Sequence, residues 1–395
     1  MLYLKEKSFI SVRKNKINLS RITSSGNFIP EIDGLRFIAI ISVVLFHLFG
    51  FISEKNIHSY TNQLDFSFLT NILKHGDLGV PLFFVLSGFI LGLPFAKHHI
   101  KSAKKVDLKS YFYRRITRLE PPYIILMTLL CIAVVYTNKM QVTEAINSFL
   151  ASVFYSHNII FSDASFINVV AWSLEIEIQF YLLVPILTLL FSIKDKSKRR
   201  IGILVAIVAA TLISCYTNLK FVFISDYLHY FLIGFLLVDY FLEDSIKKYN
   251  TILRACISLL ALFILFYFDE SYFAFKHGEL VWELVLVSLI FISYYNIIIH
   301  KSLSFFSNKI ITNIGGMCYS IYLLHYVIIS FVGNPLLKLN FSGNQIINTI
   351  IFSFILLLSI LIISTVYYLI IERPCMDKNW PTKLKNYVKR INQTS

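Results

Sequence analysis

Long apolar runs separated by short polar breaks dominate this chain. Runs long enough to cross a hydrocarbon core of about 30 Å begin near Leu35, Gly79, Tyr123, Ser173, Ile201, Tyr227, Ile252, Leu280, Ile314 and Ile347. They predict an all-α polytopic membrane protein with about ten transmembrane helices, the fifth and sixth being the least sharply bounded. The longest break outside the basic loops runs from about Asn138 to Ala171. It is too short for a folded catalytic module, so chemistry is expected within the bundle.

Composition agrees with the pattern. A chain of 395 residues that is 56% hydrophobic and 15% charged, with a mean hydropathy of +0.67, has too little polar surface to be a soluble globular protein. Charge then orients it, because short cytoplasmic loops concentrate Lys and Arg. Of the 37 basic residues, 30 fall on the side of the N-terminus. Lys55, Lys74, Lys139, Lys220, Lys276 and Lys338 fall on the other, and Arg36 lies in the first span. Both termini are therefore expected in the cytoplasm. Residues 1–31 form a basic arm, 32–374 the transmembrane domain and 375–395 a basic tail. The net charge of +14 is explained by topology and implies no nucleic acid partner.

The first span follows a basic arm as a secretory signal would, but no small-residue cleavage site follows it. The chain continues through Ser53, Glu54, Lys55 and Asn56, so the span is expected to be retained. Cys131, Cys215, Cys256, Cys318 and Cys375 are widely spaced, which fits packing and neither a metal site nor a disulfide framework. Trp172, Trp282 and Trp380 fall at expected membrane interfaces.

Four groups of residues carry candidate chemistry. Arg36 and His47 are eleven residues apart in the first span, about three helical turns plus 20°. They share one face, about 16 Å apart along the axis. Ionisable residues inside a span usually mark a working site: Arg36 can hold an anion near the surface and His47 can move a proton deeper in. Snorkelling of Arg36 and plain packing of His47 are the bland alternatives. In the second group, Arg115 and Arg118 precede the third span and face the same way on a short helix. Guanidinium forks grip phosphates, so with Arg36 they form a cationic mouth for a phosphorylated cytosolic donor, although any cytoplasmic loop would also be basic.

The third group opens the fourth span, Trp172, Ser173, Leu174, Glu175, Ile176, Glu177. Its two carboxylates point roughly 200° apart, so at most one faces a site. Glu177 reaches a depth comparable to His47 and is expected to fix its tautomer, while Glu175 caps the helix start. In the ninth span Tyr322 and His325 lie one turn apart and line one face. Ser87-Gly88 in the second span reads first as a close helix contact. Ser87 has no activating His or Asp in its own segment, which argues against a nucleophile.

Together these residues resemble the bacterial acyltransferase 3 family of integral membrane O-acyltransferases. The resemblance rests on Asp33-Gly34-Leu35-Arg36 with His47, on Gly79 through Phe89, on Arg114-Arg115 with Arg118, on Trp172-Ser173 with Glu177-Gln179-Phe180-Tyr181, and on Tyr319-Ser320 with Tyr322 and His325. It runs in order from about Ile32 to Pro374. It implies transfer of an acetyl or other short acyl group from acyl-coenzyme A, the donor substrate, to a hydroxyl of a surface glycan or lipid-linked saccharide in the bacterial inner membrane. It also implies catalytic roles for Arg36, His47, Glu177 and His325, donor binding by Arg36, Arg115 and Arg118, and no metal or permanently bound cofactor. Many relatives carry a second Glu where Ile178 stands here, and Glu175 replaces a small residue. Some carry a fused esterase-like domain, so this chain is expected to act alone or with a separate partner protein. A proton-coupled carrier of a glycan or lipid precursor is the competing class, although paired broken helices are not evident.

Overall fold

The computed structural model describes residues 19–22, 28–55, 67–217, 219–244, 251–273, 277–339, 341–342 and 344–394. Among them every regular element is helical. In chain order these are α1 (Pro30–Glu54), α2 (Ser67–Lys74), α3 (Gly79–Lys101), α4 (Leu108–Tyr136), α5 (Val142–Val153), α6 (His157–Phe161), α7 (Trp172–Leu187) and α8 (Lys196–Tyr216). There follow α9 (Leu228–Glu243), α10 (Thr251–Tyr267), α11 (Gly278–Tyr294), α12 (Lys309–Gly316), α13 (Cys318–Leu336), α14 (Gln345–Tyr367), the short α15 (Arg373–Cys375) and α16 (Trp380–Thr394). Eight helices are long and apolar enough to cross a membrane. Helices stand at all ten expected places. The sixth and seventh, α9 with 16 residues and α10 with 17, fall short of the roughly 20 needed for a full crossing.

Two apolar cores fill the bundle, and α1 serves both. Its Leu35 and Ala39 pack into the core of α3, α7, α9 and α11. Its Ile40, Val44 and Leu48 pack into that of α4, α13 and α14. At 100° per residue these sets occupy opposite faces. Arg36 and His47 fall on the stripe between them, so the polar side chains of α1 lie in the seam between two cores. Bare apolar side chains such as Leu129, Ile132, Val205, Ile257 and Ile362 cover the outward faces of α4, α8, α10 and α14, as expected against lipid.

Close backbone approach sets the helix spacing. Gly88 of α3 lies against the Phe231 carbonyl of α9, and Gly234 of α9 against the Val85 carbonyl and Phe89 amide of α3. Any Cβ would overlap backbone there, so small residues admit the tightest crossing. Gly315 of α12 abuts the Asp33 carbonyl, and Gly333 of α13 abuts Phe51. α13 therefore runs parallel to α1.

The break after α4 is more than a connecting loop. α5 and α6 turn back into the bundle: the Tyr123 hydroxyl in mid α4 donates to the Ser152 carbonyl at 3.1 Å. The Tyr123 and Tyr155 rings stack at 5.2 Å, and the Tyr155 hydroxyl lies within electrostatic reach of Glu120. Inside this hairpin Ser148, Ser152, Ser165 and His157 satisfy one another. Trp282, near the start of α11, is buried in the first core.

Candidate functional site

The seam has an arginine end and a histidine end. At the arginine end Arg36 bonds Asp33 at 2.6 Å, and Arg21, from the segment expected to be a free arm, reaches the same carboxylate at 3.4 Å. Asp33 is buried. Arg118 lies within electrostatic reach of Arg21, Asp33 and Glu372. Glu372 sits on a π-helical turn following α14 and accepts the Ser320 amide at 3.0 Å and its hydroxyl at 2.5 Å. Asp107 caps α4 by accepting the Ser110 amide and hydroxyl; these bonds hold its carboxyl below the ordinary range.

Arg115 and Arg118 neighbour each other but keep different company. The Arg115 guanidinium covers the Tyr111 ring at 4.1 Å and the Tyr181 ring at 5.6 Å. The Nε atoms of Arg21, Arg115 and Arg118 are all shielded from solvent without a hydrogen-bond partner. Buried donors are normally paired, so three orphaned guanidinium donors at one end of a bundle suit an anion. An open pocket at Arg21 is lined also by Phe28, Asp33, Ser307, Lys309 and Asn313.

At the other end His47 and His325 meet. His325 Nε2 lies 3.3 Å from His47 Nδ1, and His325 is fully buried. Nδ1 of His325 lies 2.7 Å from the Tyr322 carbonyl and 3.1 Å from that of Ile321. Two carbonyls demand a donor, so Nδ1 of His325 carries the proton and its Nε2 is an acceptor. His47 Nδ1, 3.0 Å from the Val43 carbonyl, is then the donor to both. That leaves the His47 Nε2 lone pair free. The Phe46 and Tyr326 rings wall it edge-on at 5.2 Å each.

This corrects the expected pairing of His47 with Glu177. The Glu177 carboxylate instead accepts the Ser87 hydroxyl at 2.7 Å and the Tyr181 hydroxyl at 2.6 Å on a single oxygen, Oε1. The angle between α1 and α7 was not legible in the sequence. Ser87 does sit beside the glycine contact, yet its hydroxyl belongs to this polar group. Glu175 caps a helix other than its own: its carboxylate accepts the Asn158 amide at 3.0 Å, in the first turn of α6. Tyr322 bonds the Ser173 hydroxyl at 2.8 Å and the Val170 carbonyl, tying α13 to the start of α7. Arg21, Glu372 and the Glu120–Tyr155 contact were missed, because each is made by residues distant in the chain. All five cysteines are free, and no metal-ligand cluster occurs among the described residues.

The O-acetyltransferase OatA of Staphylococcus aureus (strain NCTC 8325) is 25% identical over 343 residues, covering 78% of this chain and 52% of that protein. The S. aureus (strain COL) protein named "Putative O-acetyltransferase SACOL0978" is 26% identical over 335 residues, covering 77% of this chain and 51% of its own. The chain thus spans about half the length of the curated relatives it matches. No solved structure matches it. The acyltransferase domain of the acyltransferase 3 type matches residues 29–369, most of the chain, and the protein belongs to that family.

Proposed function

We propose that this protein is a membrane O-acyltransferase that moves an acetyl group from acetyl-coenzyme A to a hydroxyl of a cell-surface glycan or lipid-linked saccharide. The observation that carries the reading is the free Nε2 lone pair of His47, left by the hydrogen bonds of His47 and His325. A neutral imidazole fixed in one tautomer is a general base held ready.

The acceptor hydroxyl gives its proton to His47 Nε2 as its oxygen bonds the thioester carbon. The carbon–sulfur bond then breaks, and the departing thiolate takes the proton from His47, giving the ester and free coenzyme A. His47 is doubly protonated in between, and the Val43 carbonyl and His325 Nε2 stabilise the charge. General base help of this kind is worth about 10² to 10⁴ in rate. Arg115 and Arg118, joined by Arg21, hold the donor phosphates through their unpaired donors, and Arg36 adds its charge beside them. Glu177 acts as a positioning residue: it fixes Tyr181 and Ser87 and offsets the Arg115 charge. Enclosure between two apolar cores keeps water from the thioester.

In this reading residues 32–374 form the catalytic domain, ten helices traverse a bacterial inner membrane with both ends cytoplasmic, and the arginine end opens to the cytosol. α9 and α10 cross with help from a locally thinned bilayer. Inverted membrane vesicles supplied with labelled acetyl-coenzyme A and the host's own glycans test it. Alkali-labile label should appear with the wild type and fall at least a hundredfold with His47→Ala at equal protein level. Equal label from both removes His47 from the chemistry. No label from the wild type, with no binding of coenzyme A, would turn the reading to a transporter.

A further inference from the structure

A second group of polar and aromatic residues runs along α7, α9 and α11, on the side of α7 away from Glu177. Trp172 and Gln179, seven residues apart on α7, share one helix face. The Trp172 ring meets Tyr227 at 5.5 Å, and Tyr227 meets Phe84 at 5.2 Å. The side chain of Gln179 accepts the Ile224 amide at 2.9 Å on its oxygen, while its shielded Nε2 has no partner. Glu283 of α11 accepts the Tyr230 hydroxyl at 2.8 Å and faces His229 Nε2 at 3.4 Å. His229 is fully buried, and neither ring nitrogen makes a hydrogen bond. Asp77, Asp226 and Glu283 all lie within electrostatic reach of the Tyr227 hydroxyl.

Chain neighbours of this group lead to the histidine pair from two sides. Residue 173, next to Trp172, bonds Tyr322 at 2.8 Å, and the Tyr322 and His325 rings lie 6.1 Å apart. On the other flank Gly79, two residues past Asp77, abuts Ala39, Ser42 and Val43, the turn of α1 that leads into His47. The chemistry excludes the donor: carboxylates repel a polyanion, which belongs at the arginine end. It suits a neutral polyol. Aromatic rings take the C–H face of a pyranose, carboxylates accept hydroxyl protons, and amide and imidazole nitrogens complete a small set of convergent polar groups on an apolar wall.

We propose that Trp172, Tyr227, Glu283 and Gln179 form a saccharide subsite that holds the acceptor sugar and presents its hydroxyl to His47. The inference rests on the acyltransfer reading and adds where, and by what chemistry, the acceptor is held. Trp172 is the platform, and Glu283, fixed by Tyr230, selects for a hydroxyl donor.

Membranes carrying the wild type, Trp172→Ala, Trp172→Phe or Glu283→Gln at equal level would be titrated with glycan extracted from the host, and separately with acetyl-coenzyme A. The alanine and glutamine variants should raise the half-saturating glycan concentration tenfold or more and leave that of acetyl-coenzyme A within twofold. Trp172→Phe keeps an aromatic platform, so it should restore most of the affinity and show that the site still folds. Unchanged glycan saturation in Trp172→Ala and Glu283→Gln overturns the subsite and leaves the acyltransfer reading standing. An equal rise for glycan and for acetyl-coenzyme A in all variants marks a structural effect and also overturns it. Absence of glycan-dependent transfer in the wild type removes the acyltransfer reading, and the subsite with it.

Discussion

Where α3 meets α9 the contact is backbone against glycine, with Phe84, Phe180 and Phe231 stacked beside it at 4.6 and 3.9 Å. Where α1 meets α13 the contact is imidazole against imidazole at 3.3 Å. Both crossings lie deep in the same bundle. The first gains its stability from close packing, with one side-chain bond, Lys101 to Glu243 at 2.7 Å, where the two helices end. The second spends packing on polar groups that must each be paired. The difference separates scaffold from site: the glycine crossing fixes α3, and with it Ser87, so that the polar seam beside α1 keeps its geometry.

That contrast can be broken at the scaffold. Gly234→Leu forces a side chain into the Val85 carbonyl and Phe89 amide. Overpacking costs about 1–3 kcal/mol even where side chains yield, and backbone does not yield. Loss of monodisperse protein on size exclusion in detergent is expected; a folded, active Gly234→Leu protein would remove the distinction.

At the site the fold should survive and the chemistry should not. His325→Ala leaves His47 Nδ1 with the Val43 carbonyl alone, so transfer should fall about 10–100-fold, the usual cost of losing a supporting hydrogen bond to a working histidine. His325→Gln, whose amide oxygen can accept from Nδ1, should recover part of the rate. Equal losses in both variants would make His325 more than a positioning residue. Glu177→Gln keeps an oxygen for Ser87 and Tyr181 and removes only charge. Thermal stability should hold while kcat drops roughly tenfold, on the order of 1.4 kcal/mol. The smallest effect is expected from Ser87→Ala, which deletes one neutral donor beside the glycine contact and should cost about 1 kcal/mol in a thermal melt.

The sequence reveals the spans because apolar length is a local property. It reveals Arg36 and His47 as one face because both ride on a single helix. It does not reveal what His47 touches: helices 278 residues apart in the chain bring His325 to it, and hydropathy contains no rotation of α7 about its axis. Glu177 was given the wrong neighbour for that reason. Arg21 was hidden among other basic arm residues, since only the buried Asp33 distinguishes it. Residues 142–161 read as an outer loop because α5 and α6 are short and half polar. Their partners, Tyr123, Glu120 and Glu175, lie on other elements.

Arg36 and His47 stand about 16 Å apart along α1, so in the proposed reaction the phosphates of the donor stay at one end of the membrane field while the reacting carbon lies further in. Carrying one elementary charge through 100 mV takes about 2.3 kcal/mol of electrical work, and a polyanion would need several times that. The acetyl group is neutral. A machine that parks the charge and advances only the uncharged group works at the same rate whether the membrane is energised or not.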